Sequence, residues 1–304
     1  MPKQDIVVIG ASAGGVEALQ ELVADLPKNL EAAIFVVLHI GTGINGQSRL
    51  PEILTKAGRV PAVHPGAFEQ IRHGRIYVAK PDCHMIVADG HVRAVHGPKE
   101  HRTRPAINPL FRSAAATYGG RVTGVILSGT QDDGVAGLAE IKRKGGVAVV
   151  QEPSTALFSS MPQNAIEQVE ADYIAPIHEI ADIISRLAVT DRAANVVEES
   201  MERTLLEMKC PECAGPLWEE RQGKLVEYRC RVGHAYSPLA LQEEHQESIE
   251  RSLWASVVAL ENAADLLERL AREMEPVSTQ DAQEKRGQAT KLREIIENTK
   301  SLNP

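Results

Sequence analysis

The chain lacks any apolar run long enough to cross a bilayer, and the short apolar stretch in its opening MPKQDIVVIG falls far short of a signal-peptide core. It also lacks a basic excess: 33 Lys plus Arg stand against 41 Asp plus Glu, a formal charge of −8 at pH 7. That balance speaks against nucleic acid and membrane insertion, because nucleic acid and anionic lipid both require a basic footprint. Aromatic residues are scarce, at 4 % within an apolar content of 43 %, and neither an internal repeat nor a low-complexity tract is present. Cysteine is rare too, and its four copies are unevenly spread: Cys83 stands alone, while Cys210, Cys213 and Cys230 fall within 21 residues. With neither a signal-peptide core nor a membrane span in the sequence, a cytoplasmic location is expected, and in that reducing compartment such clustering points to a metal rather than to disulfides. What is there is length, since 304 residues suffice to bury a large core.

Between Ile6 and about Leu187 short apolar runs alternate with amphipathic stretches. IVVIG (6–10), AIFVVLHI (33–40), RIYVA (75–79), GVILSG (124–129) and VAVVQ (147–151) are β-branched and nearly continuous, as strands covered on both faces are. GGVEALQELVADLP (14–27), AINPLFRSAAATYG (106–119) and GVAGLAEIKRKGG (134–146) carry helical spacing and end at Gly or Pro. In 84–97, Asp89-Gly90 between two alternating runs predicts a hairpin. The expected fold is α/β: a doubly wound, mostly parallel sheet with an antiparallel hairpin, followed by a small ribbon-like module and C-terminal helices. The predicted divisions are 1–188, a linker or bridging helix over 189–208, the ribbon over 209–238 and a helical tail over 239–304. Residues 1–188 carry 18 Lys plus Arg against 19 Asp plus Glu, and residues 189–304 carry 15 against 22, so the acidity belongs almost wholly to the tail.

Three polar residues stand where strands give way to helices. Directly after the first run, Gly10-Ala11-Ser12-Ala13-Gly14-Gly15 matches G-x-S-x-G in the strand-to-helix setting of a nucleophile elbow. A helix starting near Gly14 would aim backbone N–H groups and its positive end at an oxyanion beside Ser12. An anion-binding loop is the alternative, although G-x-G-x-x-G and G-K-[ST] are both absent and the second run ends in His39 rather than an acid. His39, at the carboxyl end of that neighbouring run, is placed to serve Ser12 as a base or to sit hydrogen-bonded in the core. Thr130-Gln131-Asp132-Asp133-Gly134 follows the run 122–129; an aspartate there either accepts His39 Nδ1–H and fixes its tautomer, or caps the next helix.

IVVIGASAGG, VVLH, HRTRPAINPLFRSAA (101–115) and GVILSGTQDDGVAG together resemble, in order and over about residues 5 to 188, the catalytic domain of the chemotaxis protein-glutamate methylesterases, CheB. The resemblance implies hydrolysis of γ-glutamyl methyl esters on a methylated, chemoreceptor-like partner, with related glutamine deamidation. Motif by motif it implies Ser12 as nucleophile, His39 as base and Asp133 as orienting acid, with no catalytic cofactor. Ala13 stands where the family commonly has Thr, and Thr130 where many members have Met; with Gly14 they flank the implied oxyanion site. His101, Arg102 and Arg104 resemble the family's H-R-x-R-P-like segment and either meet acidic receptor side chains or build the pocket wall. Because the first strand begins at Ile6, the N-terminal receiver domain of typical members is expected to be missing.

In the tail, Cys210-x2-Cys213, sixteen residues, then Cys230-x3-His234 supply four ligands in two knuckles, with Gln222-Gly223-Lys224 as the turn between them. This predicts a closed, structural zinc site, since four protein ligands leave no open position for catalysis. From 239 to 274 a long amphipathic helix is expected, with Ile249, Leu253, Val257, Leu260, Ala264, Leu267, Leu270 and Met274 as its apolar side. A second helix over about 279 to 300 would show Leu292, Ile295 and Ile296. The long helix needs a cover: the second helix, the ribbon, another copy of the chain or a regulatory partner. A signalling scaffold that keeps the fold without catalysis is the competing functional reading, and a nucleotide-binding module a third.

Overall fold

Runs of aliphatic residues with no polar interruption become strands buried on both faces. In the computed structural model, which describes residues 3–39, 48–190, 196 and 200–301, IVVIGA forms β1 (Ile6–Ala11) and AIFVVL forms β2 (Ala33–Leu38), each buried throughout. Helix α1 (Gly15–Asp25) joins them, and α2 (Leu50–Ala57) follows. Next come β3 (Ala62–Val63), β4 (Phe68–Gln70), β5 (Arg75–Val78), β6 (His84–Ala88) and β7 (His91–Val95). Helix α3 (Ile107–Tyr118) leads to β8 (Val122–Ile126), α4 (Val135–Arg143), β9 (Val147–Gln151), α5 (Ser160–Gln168), β10 (Tyr173–Ala175) and α6 (Ile177–Val189).

Seven strands form one sheet in the order β10-β9-β8-β1-β2-β5-β3, with every pairing parallel. Alternate residues of β1 feed two cores. Val7, Ile9 and Ala11 join Leu19 and Leu22 of α1 and Ile180 and Ile184 of α6, whereas Ile6 and Val8 join Ile107 and Phe111 of α3 and Leu138 of α4. Helices therefore cover both faces, which is why the strands lack the polar alternation of a half-exposed sheet. The chain starts at β1, runs outward through β2, then returns to β8 on the other side of β1. That reversal opens a crevice at the carboxyl ends of β1, β2 and β8, where ligands of doubly wound folds bind.

Asp89 and Gly90 adopt φ of 50° and 75°, the two left-handed residues of a tight hairpin turn. The hairpin does not join the parallel sheet: β6 and β7 pair with β4 in a separate antiparallel sheet, in the order β4-β7-β6. Val87 N–H donates to Ser113 Oγ at 3.1 Å, tying this sheet to α3.

In the segment expected as a linker or bridging helix, Val189 still ends α6, and from Glu202 onward the chain is a strand instead. Residues 191–195 and 197–199 of that segment, like Ile40 at the end of the second run, lie outside the described residues. Glu202–Lys209 is β11, paired antiparallel with β12 (Pro216–Gln222), so that Leu205 faces Trp218 across the ladder. Helix-forming side chains here yield to a tertiary pairing partner that only folding supplies. Strands β13 (Leu225–Cys230) and β14 (Ala235–Tyr236) complete a four-stranded antiparallel sheet.

Two compact units result, Met1–Leu241 and Gln242–Pro304, so the ribbon shares a unit with the parallel sheet. In the second, α7 (Pro238–Met274) and α8 (Thr279–Ser301) form an antiparallel helical hairpin. Buried Val257, Ala264 and Ala271 on α7 and Ala282, Ala289 and Ile296 on α8 recur at seven-residue steps, the spacing of a coiled-coil seam. Arg293 to Glu268 at 2.9 Å and Lys300 to Glu261 at 3.0 Å flank it. Of the possible covers for the long helix, the second tail helix packs along it and the ribbon takes its first turn, where Ala240 and Leu241 join Cys210, Leu217 and Tyr236; Ile249, Leu270 and Ile295 of the expected apolar sides stay exposed. No helix among the described residues is long and apolar enough to cross a membrane.

Candidate active site

Ser12 is the first residue after β1 and His39 the first after β2. Because those strands pair in register, His39 N–H donates to Ala11 O at 3.2 Å and the two side chains start side by side. On the other flank, Ser12 N–H donates to Ser128 O at 3.0 Å, joining the elbow to the loop after β8. The elbow needs Gly14, whose φ is 69° and where a Cβ would lie 2.8 Å from Ser128 Oγ. Gly134, at φ 97°, makes the matching turn into α4 just after Asp133.

These turns bring Ser12, His39 and Asp133 into one chain of contacts. Ser12 Oγ lies 3.2 Å from His39 Nδ1, and His39 Nε2 lies 2.8 Å from Asp133 Oδ2. A carboxylate only accepts, so Nε2 carries the hydrogen toward Asp133 and Nδ1 is left to accept from Ser12. This reverses the ring expected from the sequence, in which Nδ1–H faced the aspartate. The cause is strand order: Ser12 leaves the strand next to β2 and meets the near ring nitrogen, whereas Asp133 leaves β8, one strand further, and meets the far one.

Asp133, not its neighbour, is the aspartate that reaches His39. Its Oδ2 also accepts the Ile107 amide at 2.6 Å and its Oδ1 the Asn108 amide at 3.1 Å, both from the first turn of α3. Burial alone would raise its pKa. The hydrogen bond from His39, the nearby charges of His101 and His39, and the Ile107 amide outweigh burial and hold it at about 2. The carboxylate is thus a fixed negative charge on a helix N-terminus. Asp132 points elsewhere, its Oδ1 accepting Ser237 Oγ–H at 2.8 Å.

Ala13 and Gly14 sit half-buried where the chain enters α1, beside Ser12, while Thr130 is exposed in the loop between β8 and α4. The 101–104 cluster divides. His101 is only 3 % exposed and lies with Nδ1 3.5 Å from Asp132 and Nε2 3.6 Å from Glu227, which makes it part of the wall rather than a surface for a receptor. Burial would lower its pKa, but the two carboxylates outweigh that and raise it. Asn108 packs against the same ring: its Oδ1 accepts the Gly137 amide at 2.7 Å and its Nδ2 lies 3.0 Å from His101 Nε2. Arg104 is held inward too, its Nε donating to Asp82 Oδ1 at 2.8 Å and Nη1 to Gly97 O at 2.6 Å. Arg102 is half-buried, with φ of 65°. Thr103, inside the same segment but not singled out from the sequence, places Oγ1 3.4 Å from His39 Nε2. Nothing in an isolated threonine marks it for such a place.

Cys210, Cys213, Cys230 and His234 form a second cluster, able to hold a metal ion. A tetrahedral zinc with bonds of about 2.3 Å to sulfur and 2.0–2.1 Å to nitrogen separates its ligand atoms by roughly 3.5–3.8 Å. The observed separations fit: 3.7 Å between Cys213 and Cys230 sulfurs, and 3.7 and 3.4 Å from His234 Nδ1 to the sulfurs of Cys210 and Cys230. Tyr236 Oη, 3.5 Å from Cys210 Sγ, backs the site.

A doubly wound α/β fold with serine, histidine and aspartate in contact at three strand ends defines the class. The CheB methylesterase family model matches residues 7–184, and the chain belongs to that family. A Leptospira interrogans protein provisionally named a protein-glutamate methylesterase/protein-glutamine glutaminase is 36 % identical over 184 residues, 60 % of this chain and 94 % of that one. A Symbiobacterium thermophilum protein-glutamate methylesterase/protein-glutamine glutaminase is 34 % identical over 182 residues, 60 % of this chain and 50 % of its own length. The crystal structure of the Thermotoga maritima CheB methylesterase catalytic domain superposes with a TM-score of 0.57 at 30 % identity, over 62 % of this chain and 99 % of that one. The family match ends at residue 184, so the ribbon and the helical hairpin lie outside it.

Proposed function

We propose that the chain is a protein-glutamate methylesterase, a serine hydrolase that removes the methyl ester from glutamyl side chains of a methylated, chemoreceptor-like protein and releases methanol. The observation that carries this reading is the unbroken chain from Ser12 Oγ through the His39 ring to the buried Asp133 carboxylate. His39 Nδ1 takes the Ser12 proton as Oγ attacks the ester carbonyl, and Asp133 stabilises the resulting imidazolium through Nε2–H. The tetrahedral oxyanion forms beside the Ala13 and Gly14 amides at the start of α1, where the helix dipole favours negative charge. His39 then returns its proton to the departing methoxide, and water hydrolyses the acyl-enzyme by the same route. The side-chain amide of glutamine presents the same carbonyl to Ser12, so deamidation needs no further residue.

The family match over residues 7–184 supports this substrate class, and we assign the protein to the cytoplasm, a location that suits its four unpaired cysteines. We further assign zinc to the Cys210, Cys213, Cys230 and His234 cluster. With four protein ligands it holds the ribbon together and takes no part in ester chemistry. The helical hairpin is assigned to regulation or to binding another protein. The test is methanol release from a purified chemoreceptor fragment bearing glutamate γ-methyl esters. Ser12→Ala protein is expected to release none above background, and release at the wild-type rate overturns the reading.

A further inference from the structure

The ribbon touches the parallel-sheet part of its unit through several segments, and residues 235–237 among them reach the turn and the loop that flank His39. The carbonyl of Ala235, the residue after His234, accepts the His101 amide at 2.8 Å, and Glu100 forms an isolated parallel bridge with Ala235. Two residues on, Ser237 Oγ donates to Asp132 Oδ1 at 2.8 Å, and Asp132 precedes Asp133 in the chain. From β13, Glu227 Oε1 stands 3.6 Å from His101 Nε2 and 3.6 Å from Arg112 Nη1 of α3, and Arg229 Nη1 stands 3.8 Å from Glu100 Oε1. Arg112 also pairs closely with Glu100. Glu227 Oε1, His101 Nδ1 and Arg112 Nη1 are buried without a hydrogen-bond partner, so charge attraction rather than hydrogen bonding carries that side of the seam.

What the seam holds is strained. His101 and Arg102 are successive non-glycine residues at φ of 47° and 65°. Each such residue costs on the order of 1 kcal/mol or more and persists where its surroundings impose it. The turn closes through hydrogen bonds between Glu100 and Thr103, at 3.3 Å and 2.9 Å, and so presents Thr103 Oγ1 to His39.

We propose that the ribbon is a positioning element of the hydrolytic site: Ser237, Glu227 and the Ala235 carbonyl hold the 100–103 turn and the Asp132–Asp133 loop, so that metal in the ribbon governs the alignment of Thr103 and Asp133 about His39. The inference rests on the hydrolytic reading of Ser12, His39 and Asp133. A ribbon without its metal loses the fixed placement of Ala235 beside His234, and the strained turn is then free to relax.

The test uses the full-length zinc-loaded protein, its chelated form, and the variants Ser237→Ala, Ser237→Thr and Glu227→Gln. Initial rates on the methylated receptor fragment are read together with hydrogen exchange at the amides of His101 to Arg104 and Asp132 to Gly134. Ser237→Ala and Glu227→Gln are expected to lower kcat about tenfold with KM within twofold, the size of one lost buried hydrogen bond or ion contact acting on alignment. Ser237→Thr restores the hydroxyl and most of kcat. Chelation is expected to speed exchange at the His101 amide. Variants that match wild type, or chelated protein with unchanged exchange at His101 and undiminished kcat, overturn the clamp alone. Wild-type zinc-loaded protein that releases no methanol overturns the hydrolytic reading and the clamp with it.

Discussion

Replacing Asp133 by asparagine keeps shape and volume and changes only charge and hydrogen-bonding capacity. Every neighbour of this carboxylate is a donor: Ile107 N–H and His39 Nε2 at Oδ2, Asn108 N–H at Oδ1. An amide has one accepting oxygen, so one orientation sets its NH2 against the Asn108 amide and leaves a buried donor unpaired, at about 1–3 kcal/mol. The other sets NH2 toward both Ile107 N–H and His39, leaving the Ile107 amide unpaired and forcing His39 to accept on Nε2 and carry its hydrogen on Nδ1, facing Ser12. A ring so protonated cannot take the serine proton. In a serine hydrolase the wrong tautomer costs on the order of 10⁴ in kcat, equivalent to roughly 5 kcal/mol of barrier. The expected outcome for Asp133→Asn is therefore a kcat reduced about 10⁴-fold at nearly constant KM, with a melting temperature lower by a few degrees for a unit of this size. Methanol release under saturating receptor fragment reads the first, and calorimetry the second. A loss of less than tenfold in folded protein would refute the role assigned to Asp133.

Two further outcomes follow from the buried charges and the cysteine cluster. Asp133 and Glu227 are both held at about 2, below their ordinary values of 3.8 and 4.5, because hydrogen bonds and positive neighbours outweigh burial. Depressed folded-state pKa values give stability that is present above about pH 4.5 and is lost as the pH falls toward 2, so the urea midpoint should drop steeply across that window; a flat profile from pH 5 to 3 would contradict it. Purified folded protein should carry one zinc per chain, and Cys213→Ser should reduce that stoichiometry; a full complement of zinc in the variant would remove Cys213 from the ligand set.

How much was legible beforehand varies with how local the cause is. The runs IVVIGA and AIFVVL announced buried parallel strands because nothing polar interrupts them, and G-x-S-x-G announced the elbow because only small residues fit that turn. The cluster of Cys210, Cys213, Cys230 and His234, able to hold a metal ion, was legible from spacing alone. The strand at Glu202–Lys209 did not, since its ladder partner lies beyond the next knuckle and its own composition favours helix. Whether His101 met a receptor or built the pocket wall was open in the sequence; its burial in the wall rests in part on Glu227, more than a hundred residues away.

The sequence by itself determined the α/β class, the three strand-end residues and the cysteine–histidine cluster, since each depends on chemistry confined to a few neighbouring positions. Tertiary structure alone decided which ring nitrogen faces Ser12 and that the ribbon is built against the wall of the site. Those outcomes depend on strand order and on charges brought together across the fold, and no local window of residues contains either.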